Sequence, residues 1–232
     1  MSRNYWIGLT LAAAMAATLP PVAAQELQRN ERNISGTLIN QDYYTADQHP
    51  ETLHLLRIVE YGHFSQPMFD NFRTGYYKGV IGDLDYVLVR IANHPGALSL
   101  LSTVAVMTKV NNLPIPYYEN ALKLYPGYAF THAQYGYYLL EISAFDKAVD
   151  HLKDAVKLDP KLAAGHAWLA EAYYKTGKLE LAKKEEAAAK GLGYAKPIPQ
   201  GDGERPAASQ APAKGGKKKS ASDVQLSQSD GQ

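Results

Sequence analysis

The sequence predicts an all-α protein, an α-solenoid of stacked helical hairpins followed by a disordered C-terminal tail. Three observations point there. The stretch from His151, HLKDAVKLDPKLAA, repeats in outline the stretch from Tyr118, YENALKLYPGYAFT, and each ends a helix on Lys-Leu-x-Pro. The two prolines, Pro126 and Pro160, lie 34 residues apart, a period suited to a helix–turn–helix unit. Between them, small and large apolar residues alternate at helical spacing, the pattern by which two helices approach closely.

The elements follow in order. Arg3 and the uncharged apolar run Trp6 to Leu19, closed by Val22-Ala23-Ala24, read as a secretory signal over 1–24, with cleavage expected after Ala24. A run of this length is short for a membrane span. Retention as an anchor is the alternative. The absence of cysteine excludes a lipid-anchored bacterial N-terminus, disulfides and thiolate metal ligands. The expected location is therefore periplasmic. Residues 25–48 read as a polar leader with weak local structure. Residues 49–94 read as a helical N-terminal cap, in which GDLDYVLVRIANHP is one helix and the stretch from His49 to Phe64, or the shorter SQPMFDNF, is its partner.

Residues 95–194 divide into units at about 95–128, 129–162 and 163–194. In the second unit Tyr135, Gly136 and Leu139 on the first helix face Ala148, Leu152 and Ala155 on the second. In the third, Leu169, Ala170 and Tyr173 face Ala182 and Ala189. Gly136, Ala148, Ala170 and Ala182 are the close-approach positions, and Tyr135, Leu169 and Tyr173 fill the gaps around them. Gly177 suits a left-handed helix cap, and Pro160 breaks between units. The first unit is irregular: its first helix reads Pro95 to Thr108, its turn is KVNNLPIP, and its second helix starts near Pro116. The helix Leu179–Lys190, rich in Lys and Glu, has a polar outer face that can close the stack. From Lys196 the chain is rich in Pro, Gly, Ser and Lys with little to bury, so 195–232 is expected to be a disordered tail.

Residues 95–194 resemble the tetratricopeptide repeat family, and the stretch AWLAEAYYKTGKLELA lies close to its consensus. The chain looks like an exported bacterial member. The resemblance implies a binding groove lined by the first helix of each unit, here Phe130, Tyr137 and Leu140, then Glu171, Tyr174 and Lys175. It implies that the partner is a peptide segment or another protein. A chain with 17 Tyr and 5 Phe favours amphipathic aromatics, which suit recognition surfaces.

Chemistry is sparse. Glu51/His54 and Glu60/His63 form two Glu-x-x-His pairs, but both fall on one predicted helix. His54 and His63 then lie on opposite faces and cannot converge. His94, His132, His151 and His166 read as packing residues. No nucleophile elbow, P-loop or dinucleotide fingerprint occurs. No cofactor, no metal and no enzymatic activity are expected. The alternative is a metal-binding or enzymatic protein with its site in 49–94. A net charge of +1 gives no field for nucleic acid. The basic cluster Lys214–Lys219 offers a weak contact to membrane or glycan. The expected function is a periplasmic scaffold or adaptor for an envelope assembly such as secretion, polysaccharide export or wall synthesis, with self-association through an end of the stack as a further possibility.

Overall fold

The computed structural model describes residues 38–200. The expected signal over 1–24, the expected leader to residue 37 and the expected tail from residue 201, with its Lys214–Lys219 cluster, lie outside the described residues. Among those described there are nine α-helices: α1 (Pro50–His63), α2 (Gln66–Thr74), α3 (Tyr77–Arg90), α4 (Pro95–Thr108), α5 (Ile115–Leu124), α6 (Ala129–Glu141), α7 (Phe145–Leu158), α8 (Ala163–Lys175) and α9 (Leu179–Gly191). None is long and apolar enough to cross a membrane.

The last four helices form two antiparallel hairpins, α6–α7 and α8–α9, stacked through α7 and α8. Small residues set their closeness. Ala148, Ala155, Ala170 and Ala182 are fully buried, and a Cβ added to Gly136 would stand 2.5 Å from Leu152 Cγ. The larger partners Tyr135, Leu139, Leu152, Leu169 and Tyr173 are buried around them.

Each hairpin turns on a residue with positive φ. Lys109 after α4, Ser143 after α6 and Gly177 after α8 have φ of 60°, 62° and 72°. They recur at the 34-residue period. In each case the next amide donates back across the helix end: Val110 to Ala105, Ala144 to Leu139, Lys178 to Tyr173, at 2.8 to 3.0 Å. The same cap thus closes three first helices, although only the third carries the glycine that makes the left-handed region free of Cβ strain.

The first unit keeps this cap and then departs from the hairpin plan. α4 packs on α3 and α6, α5 packs on α6, and α4 and α5 approach each other little. They are joined by Ser102 Oγ and Tyr118 Oη at 3.0 Å. Tyr138 donates to the Asn111 carbonyl at 2.5 Å and fixes the irregular turn. Pro114 and Pro116 explain the late start of α5, because neither can donate inside a helix. Upstream, α3 packs against both α1 and α2, so the two candidate partners are both used.

Two stretches are more structured than their composition suggests. Residues 38–48, expected to be weakly structured, form a strap pinned at both its backbone and its side chains. Asn40 and Gln41 amides donate to the Val89 and Arg90 carbonyls at 2.9 and 2.6 Å, and the Ala92 amide returns to the Gln41 carbonyl at 3.1 Å. This makes a parallel bridge between Gln41 and Ile91. A 3-10 turn, Ala46–Gln48, then leads into α1. At the other end, residues 195–200 were expected to belong to the disordered tail. They form no regular element, yet Ile198 packs against the hydrophobic core.

Candidate functional site: the inner face of the repeats

The six residues expected to line a groove do not share one open surface. Phe130 is exposed, and Tyr137, one face and two turns further along α6, is half-buried. Tyr137 packs on Trp168 of α8, ring centroids 4.7 Å apart. These three aromatics form a strip that crosses from one hairpin to the next. Leu140, Glu171 and Tyr174 are instead buried, at 6%, 5% and 8% exposure, and Lys175 is intermediate.

Tyr174 donates to Glu186 of α9 at 2.5 Å, and Lys190 Nζ donates to the other oxygen of the same carboxylate at 2.6 Å. The bond to Glu186, together with burial, pushes the Tyr174 hydroxyl up to about 12. The Lys190 and Tyr174 donors hold Glu186 below the usual carboxylate range. Tyr174 is therefore a tie within the third hairpin. Tyr118 and Tyr138 are likewise buried with bonded hydroxyls. The tyrosine count does not by itself mark a recognition surface, because a buried hydroxyl with a partner serves packing equally well.

The residue that the sequence reading passed over is Trp168. It stands at the crossing point of the strip. The Tyr194 hydroxyl lies beside its indole N–H and near Glu171. Burial and the Glu171 charge push Tyr194 upward, and the indole donor opposes them.

The histidines are distributed, not gathered. His63 Nδ1 meets Asp83 at 2.9 Å and its ring stacks on Tyr86. His94 caps α4: its Nδ1 accepts the Ala97 amide at 3.0 Å, so Nε2 carries the proton and donates to Glu60 at 3.2 Å. Among the described residues no three His, Asp or Glu side chains converge as a metal-binding group. Glu60 and His63, adjacent in the Glu-x-x-His reading, thus turn to different partners on different elements.

The two later histidines reveal the repeat in side-chain detail. His132 Nε2 donates to the Pro126 carbonyl at 3.1 Å, and His166 Nε2 donates to the Pro160 carbonyl at 3.0 Å. Each ring therefore ties the first helix of a unit to the proline that ends the preceding one. The other nitrogen faces the second helix of its own hairpin. For His166 that neighbour is Glu185, at 2.6 Å. For His132 it is His151, with the two Nδ1 atoms 3.5 Å apart.

Stacked hairpins with this period, cap and small-residue seam define a helical-repeat interaction protein. The family profile described as TPR repeat matches residues 136–177, which run from the seam glycine of α6 to the cap after α8. Over this stretch the chain is a tetratricopeptide repeat. No curated protein matches it. Among solved structures it is similar to MamA MSR-1, at 17% identity, TM-score 0.46, covering 74% of this chain and 97% of that one. It is also similar to MamA residues 41 to end from Desulfovibrio magneticus RS-1, at 19% identity, TM-score 0.46, covering 72% and 95%. Likenesses of this size assign neither a partner nor a location.

Proposed function

We propose that this protein is an exported, periplasmic scaffold that holds a segment of another envelope protein on the inner face of its repeats, within an assembly for secretion, polysaccharide export or wall synthesis. As a repeat scaffold it is an interaction module, and the finer reading adds the compartment and the partner class. The export reading is supported by the sequence of residues 1–24. The observation that carries the interaction reading is the strip Phe130, Tyr137 and Trp168, which places large amphipathic surface across two units. Aromatic anchors of this kind commonly dominate binding, each costing about 2 kcal/mol when truncated.

The test combines fractionation with capture. The mature chain is expected in the periplasmic fraction, with its N-terminus at Gln25. Affinity capture from crosslinked envelopes should recover a reproducible protein partner with the wild type and lose it with Phe130→Ala/Tyr137→Ala. That variant should keep the helical circular-dichroism signal, since Phe130 is exposed and Tyr137 half-buried. Unchanged capture by the folded variant moves the site off this strip, and a cytoplasmic chain ends the envelope reading.

A further inference from the structure

The last repeat holds a segment of its own chain on the face where α6 holds α8. Tyr137 of α6 meets Trp168 of α8. One unit on, the position equivalent to Tyr137 is Glu171, and its neighbour is Tyr194 from beyond α9. The chain reverses at Gly193, whose φ is +87°, and the Tyr194 amide donates to the Ala189 carbonyl at 2.9 Å. It then runs as Tyr194-Ala-Lys-Pro-Ile-Pro-Gln200 without helix or strand. Ile198 packs against the core, and Gln200 reaches Glu186.

The chemistry of this occupant is specific. Pro197 and Pro199 each lack an amide donor and fix φ near −65°, and a residue before proline is turned away from the α region. The segment is therefore held extended before it binds and loses little entropy on seating. An extended proline-bearing chain with one aliphatic anchor is a recurring mode of peptide recognition. Tyr194 offers the one hydroxyl, and the indole N–H meets it.

We propose that this face of the third repeat is a binding site for an extended, proline-containing segment of a partner protein, and that residues 194–200 occupy it in the free chain. The proposal rests on the scaffold reading and names the kind of segment that it takes. A tethered occupant acts at an effective concentration on the order of millimolar. A free peptide must therefore compete with it, and a partner gains access by displacing it.

The test uses the full chain with Trp6→Phe, which leaves Trp168 as the sole tryptophan of the two. The probe is a synthetic peptide with the sequence of residues 194–200. With the resident segment intact, Trp168 emission should not respond to peptide up to about 1 mM. With Tyr194→Ala/Ile198→Asp, which releases the segment, a saturable response should appear, with apparent affinity at least about tenfold tighter. The milder pair Tyr194→Ala/Ile198→Ala serves as the second released form. A peptide with alanine in place of both prolines should bind about tenfold more weakly.

Three results overturn the proposal: a folded released form that ignores the peptide, equal binding of the proline-free peptide, or loss of cooperative folding in both released forms. The last would make the segment a fixed wall of the fold. Any of these with partner capture still dependent on Phe130 and Tyr137 leaves the scaffold reading standing. Capture independent of that strip removes the scaffold reading itself.

Discussion

The two halves of the described chain reach the same kind of stack by different means. From Ala129 to Gly191 the hairpins close on small residues: a glycine or alanine on one helix admits a large side chain from the other, and the seam is apolar and local in sequence. From Leu38 to Leu124 the helices do not pair so neatly, and polar bonds between distant residues hold them. Asp42 is the clearest case. It accepts from Asn93 Nδ2 at 2.6 Å, from Thr45 Oγ1 at 2.9 Å and from the Tyr44 amide at 3.1 Å, and it also accepts the Tyr128 hydroxyl. Asn40 accepts from Asn120 and, through its carbonyl, from Tyr125 at 3.0 and 2.5 Å. The regular half is fixed by shape. The strapped half also has an apolar core and adds to it polar bonds between residues far apart in sequence, so the two should fail in different ways.

The largest effect belongs to the seam. Gly136→Leu forces a side chain into a place where even a Cβ would meet Leu152 Cγ at 2.5 Å and the Ala148 carbonyl at 3.2 Å. Leu152 is itself fully buried and has nowhere to retreat. Overpacking of this kind costs about 3 kcal/mol or more. Chemical denaturation should show a large fall in midpoint, and a variant as stable as wild type would mean that α6 and α7 do not meet at this glycine.

A smaller loss belongs to the strap. Asp42→Ala leaves Asn93 and Tyr128 without their acceptor, and a hydrogen bond to a charged group contributes about 2 kcal/mol. The pH dependence separates it from the seam. Burial raises the Asp42 carboxyl, but the donors from Asn93, Tyr128, Thr45 and the Tyr44 amide outweigh it, and the net direction is down. A depressed folded value means that the contribution is present above the unfolded value, about 3.9, and is lost as pH falls through the folded one. Wild type should therefore lose stability in that acid window more steeply than Asp42→Ala. Parallel acid profiles would remove Asp42 from the account.

How much of this the sequence discloses depends on the same division. Pro126 and Pro160, Gly177 and the Tyr135-Gly136 and Leu169-Ala170 pairs are local signals, and they place the two later hairpins with their register. The strap leaves no such trace. Its partners lie up to 86 residues away, and its polar composition is that of an unstructured leader. The same holds for Tyr194 to Gln200, whose prolines read as the start of a tail. The cap at Lys109 and Ser143 was hidden because neither residue advertises a positive φ. Tyr174 was misleading for a different reason: a helical position names a face, but only the packed structure shows that Glu186 already answers its hydroxyl.

A modest gain is expected from a glycine outside any seam. Gly82 lies on the exposed side of α3, and a Cβ there would meet nothing within 4 Å. Gly82→Ala should raise stability by about 0.5–1 kcal/mol, because alanine restricts the unfolded chain and suits a helix interior. Set beside Gly136, it asks whether a helical glycine is there for closeness or merely tolerated. Destabilisation at Gly82 would show a contact of α3 that its open surroundings do not suggest.

The smallest expected effect compares the two regular repeats with each other. His132 and His166 hold equivalent places, but His132 faces His151 whereas His166 faces Glu185. Burial, and then the charge of His132, lower the pKa of His151. Asp154, Asp150 and Glu119 pull it the other way without reversing the direction. A histidine with a lowered folded value binds its proton first in the unfolded chain. Stability is therefore lost as pH falls from about 6.5 through the folded value, and the loss is complete below it. The ring is partly exposed, so solvent screening keeps the loss under about 1 kcal/mol. His151→Glu rebuilds in the second repeat the arrangement of the third, with His132 between the Pro126 carbonyl and a carboxylate. In this variant the fall in melting temperature between pH 7 and pH 5.5 should shrink or change sign, while at pH 8 the two proteins should differ little. Glu185→His performs the opposite exchange and should give the third repeat the acid sensitivity of the second. If neither exchange moves the profile, the His132–His151 contact contributes nothing to the pH response, and the two repeats differ in sequence at this position without differing in behaviour.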